Sequence, residues 1–388
     1  MSGRPSRPSP ELPATLNARD LLAIYRPDIS EELVRLNAPP YRHTQLYEHL
    51  VRRPGATFIE ASSLPLNLRE ALAARGHTTL EVRARQDSAD GTTKLLFAAR
   101  DGVLLESVIM RYARRSTVCV STQVGCSLAC TFCSTGAMGF IRDLTAAEIV
   151  DQVRAAMALL ETEEKRVGNI VFMGMGEPLL NLDAVLVAIR VLKDPAGMDF
   201  AQRALSVSTV GIPAGIRRLA RVEPQVNLAL SLHAADDTLR TRLMPVNRRF
   251  PIAQVMRAVD DHFVLTHRKL FVEYLMLAGV NDQLRHAHTL ATLLQGRVLT
   301  VNLIPWNPGC GDYRPSSPAA IAAFQQQLAE RGVEATIRAG RGLDIAAACG
   351  QLATRTAPGR NPKPASRDRA RPGERRQPQR PKPTRRRG

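Results

Sequence analysis

Apolar and polar positions change period twice along this chain. Between residues 14 and 90, ARDLLAIYRP, SEELVRLN, RHTQLYEHLVR and NLREALAARG repeat apolar residues at helical spacing, with Ser, Asn or Asp near their starts and Gly or Pro near their ends. They predict a small helical domain, with residues 1–13 disordered ahead of it. From Thr79 to Met110 the period falls to two. TTLEVRARQDS, TTKLLFAAR and VLLESVIM, set around Asp-Gly turns at Asp90 and Asp101, read as two or three antiparallel strands, so that 91–115 links the helical domain to a second, larger one.

From Ser116 the pattern repeats. Short apolar strands at STVCVST, NIVFMGMG, ALSVSTVG, VNLALSLH, LFVEYLML and LTVNLIPWN are each followed by an amphipathic segment of helical period, from LTAAEIVDQVRAAMALLE to PAAIAAFQQQLAERG. Six strand–helix units in series imply an α/β fold whose parallel sheet curves into a partial (βα)6 barrel over 116–340. In such barrels reactive groups collect where strands end at their C-terminal side. The cysteine-rich loop, GMGEP, SVSTVG, SLHA and PWN all fall at those places.

A length of 388 residues with 44% hydrophobic content allows roughly two to three domains and a sizeable core. No run of about eighteen apolar residues occurs, so no membrane span is expected. The opening MSGRPSRPSPELP lacks the apolar centre of an export signal, which points to the cytoplasm. The formal charge of +17 is concentrated: residues 356–388 hold twelve Lys or Arg against Asp368 and Glu374, with seven prolines. That tail has too little apolar surface to offset the entropy of ordering and reads as a disordered basic arm. It suits nucleic acid through counterion release, or serves only solubility. The body keeps about +7, which tilts the reading toward RNA.

Four of the six cysteines lie in VCVSTQVGCSLACTFCSTG. Cys126, Cys130 and Cys133 share one short loop, spaced C-x3-C-x2-C, and three thiolates so placed can hold three irons of a [4Fe-4S] cubane while the fourth iron stays open. Structural zinc would want a fourth ligand, for which only Cys119 is near, and inert buried cysteines are the other alternative. The barrel context favours the cluster.

CSLACTFC after the first barrel strand resembles the cluster loop of the radical S-adenosylmethionine superfamily. More narrowly, VCVSTQVGCSLACTFCSTG, GFIRDLTAAEIVDQV, GMGEPLLN, VSTVGIP, LSLHA, FVEYLMLAGVND, VNLIPWNP and DIAAACGQL, in this order, resemble the RlmN/Cfr family of RNA adenine methyltransferases. The likeness runs from the helical N-terminal region to about Leu352. It implies one [4Fe-4S] cluster and two molecules of S-adenosylmethionine per turnover, 23S rRNA and also a tRNA anticodon-loop adenine as substrates, an external electron donor such as flavodoxin or ferredoxin, and a monomer.

The reaction so implied answers a chemical difficulty. An aromatic C–H of adenine is too unreactive for polar methyl transfer from a sulfonium, so a carbon radical must attack. In the family's scheme one S-adenosylmethionine methylates Cys349, in the C-terminal segment 341–355. A second, chelating the open iron, is cleaved to a 5'-deoxyadenosyl radical that takes hydrogen from the S-methyl group. The methylene radical adds to adenine C2 and ties enzyme to RNA. By the resemblance Cys119 is the resolving thiol that attacks the Cys349 sulfur, and Glu106 is the proton acceptor. Gly176, Glu177, Ser208, Ser231, Leu232, His233 and Asn307 carry over as S-adenosylmethionine contacts. The glycines of GMGEP are expected to admit the methionyl ammonium.

Relatives of this kind act at C2 or, in resistance enzymes, at C8; Pro178 in GMGEPLLN resembles the C2 group. A radical enzyme acting on another substrate is the remaining alternative. Cys310, in NPGCGDY, has no role by resemblance and reads as a free loop cysteine open to oxidation.

Overall fold

Four helices, α1 (Ala18–Tyr25), α2 (Pro27–Arg35), α3 (Tyr41–Arg52) and α4 (Leu66–Ala73), begin the computed structural model, which describes residues 16–353. The segments expected to be disordered, 1–13 and 356–388, lie outside the described residues. Leu22, Ile29, Leu46, Tyr47 and Leu50 are fully buried and join the same apolar core as the barrel. A buried polar knot fixes this junction: Asp151 accepts from Tyr25 Oη at 3.3 Å and from Thr79 N at 2.6 Å, and pairs with Arg154 at 2.6 Å. Arg154 Nη1 also donates to His77 O at 2.9 Å, although its buried Nε has no partner, so most rather than all of the pair's hydrogen-bonding capacity is used inside.

Three antiparallel strands come next, β1 (Leu80–Asp87), β2 (Thr93–Ala99) and β3 (Leu104–Arg111). Strand β3 pairs antiparallel with β4 (Ser116–Cys119), the first strand of the barrel. Beyond β4 the chain forms a small hairpin of β5 (Gln123–Gly125) and β6 (Phe140–Asp143), which flanks the cysteine loop and the short α5 (Ser134–Ala137). Gly125 is obligatory there. Its φ is +75°, and a Cβ would stand 1.8 Å from the Gly139 carbonyl oxygen.

The units then alternate as read from the sequence: α6 (Ala146–Glu161), β7 (Val167–Phe172), α7 (Leu182–Lys193), β8 (Leu205–Thr209), α8 (Pro213–Val222), β9 (Asn227–Ser231), α9 (Asp237–Leu243), α10 (Ile252–Thr266), β10 (Leu270–Met276), α11 (Leu284–Leu294), β11 (Leu299–Pro305), α12 (Pro318–Ala329) and β12 (Ala335–Ile337). Helix α6 shows why the local sequence suffices. Thr145 caps it, accepting from Glu148 N at 3.2 Å while Glu148 accepts from Thr145 N at 2.8 Å. Such a capping box contributes about 1 kcal/mol. Ile149, Val150 and Val153 on its inner face are fully buried, each contributing about 2 kcal/mol.

The main sheet runs β1-β2-β3-β4-β7-β8-β9-β10-β11-β12, parallel from β4 onward. Strand β12 is a seventh parallel strand that the sequence pattern did not announce. The barrel is partial: β12 does not pair with the antiparallel edge, and the segment after it crosses back instead. Gly342 N donates to Asp90 Oδ2 at 2.9 Å, Ser88 Oγ to Asp344 at 2.6 Å, and Ala353 N to Glu106 Oε2 at 3.0 Å. The same strap docks on the cysteine loop, where Ser134 N donates to Gly350 O at 2.8 Å and Thr135 Oγ1 to Leu352 O at 2.6 Å.

Candidate active site

Two adjoining cavities occupy the end of the sheet where its parallel strands finish. The larger, about 160 Å³, is lined by Cys126, Cys130 and Cys133 together with Gly176, Glu177, Ser208, Ser231 and His233. The smaller, about 40 Å³, holds Cys119 and Asn307 between β3, β4 and the strap. Cys349 lines both. Of the thirteen residues singled out in the sequence, eleven therefore face one cavity or the other. Leu232 does not: its side chain is wholly buried, and its N–H and C=O are spent on Glu273 O and Arg240 Nε. Nor does Glu106.

The three loop thiols are all pushed up by burial, Cys126 to about 12, with neighbouring thiols adding to the effect at Cys126 and Cys130. Left alone they keep their protons, so three thiolates here need a positively charged partner that displaces them. Among the described residues no group of three or more His, Cys, Asp or Glu is arranged around a single metal ion. In a cubane each sulfur meets its own iron, and three soft donors on one cavity wall suit that group. Buried Arg240, whose pKa burial lowers to about 10, is held up by the opposing pull of Cys130 and adds a fixed cation behind the loop.

Glu177 is one of the ionisable groups on the facing wall. Its oxygens accept from Val210 N at 2.9 Å and Leu179 N at 3.1 Å, yet burial outweighs these bonds and raises its pKa to about 7. Gly176 has a packing reason for being glycine besides the expected approach of a ligand. With φ at +98°, a Cβ there would meet Gln123 Cβ at 2.5 Å, so the GMGEP turn is tight because it packs on the start of β5. Ser208 and Ser231 meet at 3.2 Å across adjacent strands. His233, at φ +57°, accepts from Leu275 N through Nδ1 at 3.0 Å. Burial lowers its pKa to about 3, so the ring is neutral with its proton on Nε2.

In the smaller cavity Cys119 is 7% exposed, whereas Cys349 is exposed, and both are free thiols. Burial, with Cys349 close by, pushes Cys119 up to about 12. Glu106 sits one step away on the face of β3 that carries Val108 and Met110 into this cavity. It is buried, paired with Lys94 at 3.2 Å and bound to Ala353 N, and its pKa is raised by desolvation.

Residues the sequence did not single out complete the walls. Arg338, at the exit of β12, lines both cavities, stands 3.6 Å from Glu273, and its pKa is raised chiefly by Cys349. Glu273 on β10 lines the larger cavity, as do Phe132 and Trp306. A charged residue inside the apolar run LFVEYLML was the available signal for Glu273; Arg338 had none.

The chain resembles known proteins over most of its length. Residues 120–290 match the Radical SAM superfamily. The dual-specificity RNA methyltransferase RlmN of Anaeromyxobacter dehalogenans is 45% identical over 348 residues, covering 88% of this chain and 93% of that protein. The protein of the same name from Anaeromyxobacter sp. strain Fw109-5 is 42% identical, covering 93% and 96%. Among solved structures, a radical SAM methyltransferase from Sphaerobacter thermophilus superposes with a TM-score of 0.80 at 44% identity, covering 83% of this chain and 95% of that one. Identity at this level across nearly the whole of each relative leaves one assignment: the chain belongs to the RlmN family of RNA methyltransferases within the radical SAM superfamily, whose chemistry rests on a [4Fe-4S] cluster and S-adenosylmethionine.

Proposed function

We propose that this enzyme methylates C2 of an adenine in 23S rRNA and of a tRNA anticodon-loop adenine, using Cys349 as methyl carrier and two molecules of S-adenosylmethionine per turnover. The observation that carries this reading is the position of Cys349 on the boundary of both cavities. One sulfur can there be reached from the three-thiol side and from the Cys119 side.

Cys126, Cys130 and Cys133 would hold the cluster, and Gly176, Glu177, Ser208, Ser231 and His233 the methionyl and nucleoside parts, with the Leu232 main chain between the last two on the same wall and Asn307 in the second cavity. The bound cofactors supply reductive cleavage of a sulfonium and hence hydrogen abstraction from a methyl group. The protein's own residues do the rest. Once the Cys349 methylene is bonded to the adenine, Glu106 takes the proton from the substituted carbon and the unpaired electron of the adduct returns to the electron-transfer partner, which restores the aromatic ring. The Cys119 thiolate attacks the Cys349 sulfur, an S–S bond forms, the S–CH2 bond breaks, and its electron pair stays on carbon, which takes up a proton to become methyl. A thiol as reluctant to ionise as Cys119 must give up its proton before or as it attacks.

The helical region up to Ala73 fits an RNA-facing accessory role, and a small electron-transfer protein of flavodoxin or ferredoxin type would deliver electrons to a monomeric, cytoplasmic enzyme. Among the described residues no helix is long and apolar enough to cross a membrane.

Mass spectrometry of adenosines from rRNA and tRNA incubated with the reconstituted enzyme tests the site of methylation; 8-methyladenosine in place of the 2-methyl isomer would overturn it. Cys119→Ala is expected to accumulate a covalent protein–RNA adduct through Cys349. Release of free methylated RNA at the wild-type rate would remove Cys119 from the mechanism.

A further inference from the structure

The floor and the rim of the smaller cavity differ in character. Val108 and Met110 line its wall from the same face of β3, and Tyr112 continues the alternation just past the strand, so an apolar wall that starts beside Cys119 runs out to an aromatic ring at the surface. Tyr112 is 40% exposed. The Arg341 guanidinium lies over its ring, 4.4 Å from the centroid, and that of Arg115 at 5.7 Å.

Arg341 is held in place from behind: Nη1 donates to the carbonyls of Asp90 and Arg111, each at 3.1 Å. Its fork is thus fixed by main chain, and no carboxylate neutralises it among the described ion pairs. Arg114 and Arg115 are exposed in the turn closed by Tyr112 N donating to Arg115 O at 2.8 Å, and neither has an acidic partner among the described residues. Two cations without an acidic partner therefore converge on one ring at the entrance to the reaction cavity, with Arg114 exposed in the same turn. A ring and a guanidinium plane stack unpaired bases irrespective of sequence, and the neighbouring cations suit phosphate.

We infer that Tyr112, Arg115 and Arg341 form a ledge for single-stranded RNA, stacking the nucleotide next to the target adenine and holding its phosphate while the target enters the Cys119–Cys349 cavity. The inference rests on that cavity receiving the base. It assigns the cost of keeping a base unstacked to residues outside the reacting constellation.

The test uses the full-length reconstituted enzyme, an RNA stem-loop bearing the target adenine, and the same stem-loop with an abasic nucleotide on either side of the target. On intact RNA, Tyr112→Ala is expected to weaken binding about tenfold by fluorescence anisotropy, with kcat within about twofold and Tyr112→Phe close to wild type. On the RNA lacking the stacked base, the wild type should lose the same factor and Tyr112→Ala nothing further. Arg115→Gln should lower the salt dependence of log Kd by about one unit on both RNAs. Unchanged affinity of Tyr112→Ala, or an equal loss on intact and abasic RNA, would overturn the ledge. Wild-type enzyme that shows this binding signature yet methylates no adenine would fault the reading of the cavity and leave the ledge standing.

Discussion

Both oxygens of Glu177 accept main-chain N–H groups, and still the carboxyl titrates near 7 because burial outweighs them. A folded pKa above the ordinary carboxyl value means that this group favours the native state below about pH 4.5, and that the contribution is lost as pH rises through 7. A bound ammonium would reverse that loss. S-adenosylmethionine should therefore bind more tightly, and raise the melting temperature by a larger step, at pH 8 than at pH 6, and Glu177→Gln should flatten both dependences. Calorimetric titration across that range checks this; a flat wild-type profile would separate Glu177 from the ligand. At this scale the sequence was legible wherever residues sit in a motif. Cys126, Cys130 and Cys133 could be read from spacing, and Cys119 and Cys349 from the resemblance alone. Arg338 was not, because its meaning comes from the sheet bringing β12 round to Cys349. The packing reason for Gly176 could not be read for the same kind of cause, since Gln123 lies more than fifty residues earlier in the chain.

Among elements, the small hairpin β5–β6 decides whether the three thiols share one wall. Its two glycines are not equivalent. Gly125→Ala drives a Cβ into the Gly139 carbonyl and should prevent the cluster from assembling, read as iron and sulfide content after anaerobic reconstitution. Gly139→Ala meets nothing within 4 Å, and, with φ at +75°, should cost only about 1 kcal/mol in a melting experiment with iron content preserved. Equal iron in both variants would show that the hairpin does not position the loop. The parallel strands were readable because burial on both faces makes each a short apolar run. Strands of three or four residues such as β5, β6 and β12 offer no period to read, and β12 is half exposed besides.

At the scale of the molecule, an open sheet is closed by a strap rather than by strand pairing. The strap holds Cys349, so under the proposed reaction its anchors would govern catalysis from a distance. Asp90→Ala removes the acceptor of Gly342 N. It should speed hydrogen exchange from Gly342 to Gly350 while β7–β9 stay protected, and lower kcat several-fold without changing iron content. Unaltered exchange in the strap would show that its other contacts suffice. Because Cys349 belongs to a large chamber and a small one at once, the proposed loading and unloading of its sulfur would be open to separate block. Under the proposed reaction, a compound that plugs only the chamber around Cys119 would leave the enzyme able to charge Cys349 while shutting out both the target base and the resolving thiol, and so hold it in its methylated form.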